Sequence, residues 1–199
     1  MAYEQTPSQT VGPYFAYGLT PKQYGYPLPD VAGPVMCGEQ THGERIWLSG
    51  RVFDGEGNAV NDAMIEIWQA NADGRYRHPA DPRGGNVRDP DFTGFGRCGT
   101  GTDSTSRFLF KTIKPAAPED GMAPHLNVIV FMRGLLTHVY TRVYFRDEAE
   151  ANADDPVLKG VPDDRRETLI ARREETEEGP VYHFDIHMQG TQETVFFDV

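Results

Sequence analysis

Apolar and polar side chains alternate along the chain in short runs, the period-two pattern of half-buried strands. Residues 45–54, "RIWLSGRVFD", place Ile46, Leu48 and Val52 on one face. Residues 63–70 set Ala63, Ile65 and Ile67 against Met64, Glu66 and Trp68. Comparable runs fall at 107–113, 125–132, 139–145, 168–174, 181–188 and 193–199. Between them, 21 glycines and 15 prolines are scattered, and "DGEGN" at 54–58 reads as a turn. One or two helical turns are predicted within 147–156, with Asp147 as cap and Pro156 as stop. The predicted fold is therefore all-β: an antiparallel β-sandwich core with long loops and at most short helices, in a single domain over 1–199. Residues 1–40 and 71–106 lack clean periodicity. The latter span holds a long loop excursion at 77–99, where function often resides on a rigid scaffold.

Charge narrows the partners. Thirty acids against 19 bases give a net charge of -11. Such a field repels nucleic acid and anionic lipid, and repels an anionic small molecule unless a local arginine or lysine meets it. The two cysteines, Cys37 and Cys98, have no metal-site or redox-motif spacing and are expected to be reduced thiols of a cytoplasmic protein. The polar start "MAYEQTPSQT" does not read as a signal peptide, and no run of about 18 apolar residues predicts a membrane span.

Candidate chemistry concentrates in "APHLNVIV" at 123–130. Alternation puts His125, Asn127, Ile129, Phe131 and Arg133 on one strand face. Two histidines so spaced would make a ligand pair, but an amide is neutral and replaces neither imidazole at a transition metal nor an anionic oxygen at a ferric ion. Arg133 lies eight residues beyond His125, about 26 Å along an extended strand, too far to share its pocket. It reads either as a surface guanidinium or as an anion clamp, because guanidinium meets carboxylate with two parallel hydrogen bonds. Tyr76 sits between Arg75 and Arg77, whose charges would favour its phenolate. His183, Asp185 and His187 share a face and could bind a metal, although exposed strand decoration is the simpler reading.

Several segments together resemble the intradiol ring-cleaving dioxygenases: "TPSQTVGPYF" (6–15), "GRVFDGEGNAVNDAMIEIWQANADGRYRH" (50–78), "FGRCGT" (95–100) and "RFLFKTIKP" (107–115). "MAPHLNVIVFMRG" (122–134), "HVYTRVYFRDEAEANADDPVL" (138–158) and "FDIHMQGTQETVFFD" (184–198) are similar to the alpha subunits of members built from two homologous chains. The family's catalytic chain holds a non-haem ferric ion with two tyrosines and two histidines. By this resemblance Tyr76 matches the first tyrosine and His125 the first histidine, while Asn127 replaces the second histidine. The second tyrosine, expected after a Lys-Pro pair in the pattern Lys-Pro-Gly-x-Tyr-Pro-Trp, has no counterpart in "KPAAPEDG" (114–121). The resemblance thus implies a remnant metal site, no catalytic residue in this chain, and Fe(III) in a homologous beta subunit. It further implies that this chain lends Arg133, Gly12 and Pro13 to the partner's cleft for a carboxylated catechol, that residues 1–40 form an extended arm on the partner, and that alpha–beta pairs assemble into a larger particle.

Overall fold

The protein is described as a computed structural model covering residues 14–83 and 89–198. Among these, nine strands are joined in the order β3-β2-β5-β6-β7-β8-β1-β4, with β9 beside β1. They are β1 (Arg45–Phe53), β2 (Met64–Gln69), β3 (Phe95–Gly99), β4 (Arg107–Ile113), β5 (His125–Phe131), β6 (Val139–Phe145), β7 (Ile170–Thr176), β8 (Gly179–His183) and β9 (Ile186–His187). The strand order curls so that β3 and β4, at its two ends, lie close together. The fold is the predicted β architecture, but the sheet is mixed rather than purely antiparallel. β6 pairs with β7, and β1 with β8 and β9, in parallel. The β6–β7 pair is parallel because the short helices from residue 146 to 169 carry the chain back over the sheet.

The predicted alternation is what fills the interior. Ile46, Leu48, Val52, Ile65, Ile67, Phe108, Phe110, Leu126, Val128, Val130, Val143 and Phe145 form one buried cluster. A second, smaller cluster lies on the other side of β6: Tyr144, Ala123, Leu158, Val161 and Leu169. It is roofed by α2 (Ala149–Asp154), α3 (Pro156–Gly160) and α4 (Asp163–Arg166). Asp155 makes this roof. Its carboxylate caps α3 by accepting from the amides of Val157 and Leu158, and it accepts from Ala123 N and the Tyr144 hydroxyl. Pro156 therefore starts a helix as well as stopping one, since a proline at the first helical position forgoes no internal bond. Asp147 does not cap. It is held by Lys114, Arg173 and the Tyr182 hydroxyl.

Three further expectations are corrected. The strand expected at 193–199 reduces to a single bridge between Phe197 and Tyr140. β3, hidden inside the presumed loop, is a real strand paired with β2. The N-terminal residues that are described are not simply extended: α1 (Tyr14–Leu19) is followed by a 3-10 turn at Pro21–Tyr24. The segment after it straps β3 to β4 of its own chain. Gly33 O accepts from Arg97 N, Pro34 O accepts from Lys111 N, and Met36 N donates to Lys111 O. Gln23 adds a paired amide contact with Gly99. Strand edges that would otherwise be open are thereby covered. Both cysteines are free and buried. Among the described residues no helix is long and apolar enough to cross a membrane.

Candidate functional site

The outer face of β2, β5 and β6 carries the chemistry. Trp68 on β2 is paired with Asn127 on β5, which is paired with Arg142 on β6. These three side chains thus form one row across the sheet, and the next row holds His125 opposite Tyr144. Tyr76 reaches the row from the turn after β2. Asn71 shapes that turn: its side-chain oxygen accepts from the amides of Asp73 and Arg75, and Gly74 takes φ 74°. A Cβ on Gly74 would also collide with the carbonyl of Ala117, so glycine lets the 114–122 loop lie against the turn. Tyr76 N donates to Asp81, and the Tyr76 ring stacks on Trp68 with centroids 5.8 Å apart and planes 6° from parallel.

Within the row, Asn127 Nδ2 lies 3.2 Å from the Tyr76 hydroxyl and 3.3 Å from the Trp68 carbonyl. Because the carbonyl can only accept, the amide turns its NH2 group toward both. His125 is 2% exposed, and its Nδ1 lies 2.9 Å from the Ala123 carbonyl. That carbonyl assigns the proton to Nδ1 and leaves Nε2 unprotonated. Burial pushes the His125 pKa down to about 4, with the Arg142 charge adding to the effect, so the ring is neutral near pH 7. Burial raises the Tyr76 phenol above its usual range, opposed by the Asn127 hydrogen bond and the Arg142 charge. The expected phenolate is therefore not favoured. Arg75 and Arg77 point elsewhere, donating to the carbonyls of Arg83 and of Pro90 and Phe92. Tyr144 is pushed up to about 12, mainly by burial.

Above Tyr76 opens a cleft of about 800 Å³ lined by Trp68, Tyr76, His78, Asp81, Arg83 and Glu119. Arg83 is paired with Asp81 and donates to the Pro118 carbonyl. Arg133 stands apart from all of this. It follows the far end of β5, its side chain is 61% exposed, and its Nε pairs with the nearly buried Asp62. Gly12 and Pro13 lie outside the described residues. The His183, Asp185 and His187 face does not converge on an ion: His183 pairs with Glu174, Asp185 accepts from Arg51 N, and His187 stacks on Phe53. No group of three or more His, Cys, Asp or Glu arranged for a metal occurs among the described residues.

A family model described as Dioxygenase matches residues 12–123. The protocatechuate 3,4-dioxygenase alpha chain of Burkholderia cepacia is 54% identical over 197 residues, covering 98% of each chain. The chain belongs to the intradiol dioxygenase family. The protocatechuate 3,4-dioxygenase beta chain of Burkholderia cepacia is also related, 39% identical and covering 76% of this chain and 67% of that one. Among solved structures, the dioxygenase domain of a carbohydrate-binding fusion from Streptomyces sp. SirexAA-E superposes with TM-score 0.60 at 21% identity, covering 96% of this chain and 100% of that chain. That likeness establishes the fold.

Family membership raises the question of whether these residues fit a ferric ion. They do not. Of the four donors implied by the family pattern, the phenol of Tyr76 and Nε2 of His125 remain. Asn127 presents N–H groups rather than a lone pair, and the fifth residue of the Lys-Pro pattern is Pro118, which has no donor side chain. A neutral phenol and one imidazole are too few and too weak for a hard trivalent cation. Sequence reasoning missed Arg142. Its signal was the arginine in the middle of "VYTRVYF", on the same face as Tyr140 and Tyr144.

Proposed function

We propose that this chain is the alpha, non-iron-holding subunit of a protocatechuate 3,4-dioxygenase. The assembly cleaves 3,4-dihydroxybenzoate with O2 to 3-carboxy-cis,cis-muconate on a homologous, iron-bearing beta subunit in the cytoplasm. The observation that carries this reading is the 54% identity to an alpha chain across both full lengths. The depleted donor set around Tyr76 and Asn127 supports it. The chain's part is architectural and substrate-orienting: as one domain it completes the partner's cleft, with Gly12 and Pro13 at its wall and Arg133 facing the substrate carboxylate.

Exposure supports these roles. The Arg133 side chain, 61% exposed beyond the end of β5 and held there by Asp62, lies open to a neighbouring chain. Tyr17, Tyr26, Leu28, Val31 and Val35 leave apolar surface exposed along the N-terminal segment, a strip suited to burial against a second chain. The reading is tested by producing the chain alone, the beta homologue alone and both together, and following O2 uptake with 3,4-dihydroxybenzoate. Activity that requires both chains in a one-to-one complex supports it. Activity of this chain alone refutes it.

A further inference from the structure

Tyr76 and Asn127 meet on the outer face of the sheet, with His125 in the adjacent row. The same place is reached from β6 by a guanidinium. Arg142 is directly across from Asn127 in the β5–β6 register, half-buried, and its Nη1 donates to the Tyr144 hydroxyl at 3.3 Å. No ion pair is formed by Arg142 among the described residues. Asp155, which accepts from the same Tyr144 hydroxyl, is already met by four donors. The residue across from Arg142, Asn127, hydrogen-bonds the Tyr76 hydroxyl, and the next pair along the two strands is His125 opposite Tyr144. We propose that Arg142 supplies the pocket's positive charge in place of a ferric ion, and that it bars the pocket from metal independently of the missing ligands. This rests on the reading of the chain as the subunit that does not hold iron.

Two physical reasons support the assignment. A pocket stripped of its metal keeps an electron-rich atom, the unprotonated His125 Nε2, which a low-dielectric site leaves costly unless a cation or donor faces it. A guanidinium provides both charge and donors, and having no lone pair it cannot itself ligate a metal. A trivalent ion entering the same space would then meet a fixed positive charge at short range, a repulsion only weakly screened inside a protein. Restoring the ligands alone therefore does not restore the site.

The test uses the chain assembled with its beta partner. Asn127→His and Pro118→Tyr are introduced together, with residue 142 left as arginine or changed by Arg142→Lys or Arg142→Gln. Iron per alpha chain is measured by elemental analysis, alongside the visible phenolate-to-iron absorption, after subtracting the beta subunit's share. Uptake is expected to be low with Arg142 or Arg142→Lys and roughly tenfold or more higher with Arg142→Gln. Should the double variant not assemble, the Asn127→His single variant titrated with Zn(II) makes the same comparison. Equal metal uptake with charge and without it, including none in either case, overturns the proposal. Iron bound by the unaltered chain would instead overturn the functional reading on which it rests.

Discussion

His125 makes the chain's stability fall in mild acid, by an amount the structure sets. The ring is buried and neutral, with a folded-state pKa of about 4 against an ordinary value of 6.5. Because the folded-state value is the lower one, protons bind the unfolded chain first. The stabilisation is complete above the unfolded pKa and is lost as pH falls through 6.5 toward the folded value. Integrating the linkage from about pH 7.5 to about pH 5 gives a loss of roughly 2 kcal/mol from this one residue. The assay is denaturant unfolding of the assembled protein across that range, for the parent and for His125→Asn in parallel. The asparagine amide can still donate to the Ala123 carbonyl but does not titrate. The difference between parent and variant should shrink by about 2 kcal/mol on going to the lower pH. Parallel pH profiles for the two proteins would refute the claim that His125 is held neutral by burial.

Three further outcomes follow from the same geometry. Arg133→Ala should raise KM for 3,4-dihydroxybenzoate by about 5–30-fold, corresponding to about 1–2 kcal/mol for a guanidinium that is largely exposed, and leave catechol, which lacks the carboxylate, little changed. Equal effects on both substrates would remove the clamp. Asp62→Asn should shift KM in the same direction but less, because it loosens the anchor rather than removing the cation; steady-state kinetics on the same substrate pair decides. Asp155→Ala removes an α3 cap and leaves the buried Ala123 amide unpaired, together worth about 3 kcal/mol of stability, which a shift in the denaturation midpoint will report.

What could be read from the sequence was what is local. Alternation put Ile46 with Leu48 and Ile65 with Ile67 on faces that the structure buries, and correctly turned His125 and Asn127 to the same face. β3 escaped because "FGRCG" offers two glycines and an arginine instead of alternating apolar residues; its pairing with β2 and the strap from residues 33–36 hold it. The parallel pairs escaped because pairing between distant segments leaves no periodic mark. The charge state of Tyr76 was misjudged for a related reason. Its sequence neighbours Arg75 and Arg77 turn away, while Trp68, Asn127 and Arg142, remote in the chain, set its environment. Arg142 was visible as an arginine inside a strand, but its place beside Asn127 depends on the β5–β6 register.

The central claim is that the metal chemistry belongs to the partner because this pocket presents a phenol, one imidazole, an amide and a guanidinium. The direct test is iron analysis of the chain purified without any homologue, beside the assembled complex. The chain alone should be colourless and iron-free, and the complex should carry about one iron per alpha–beta pair. One tightly held iron per copy of the isolated chain would contradict the account.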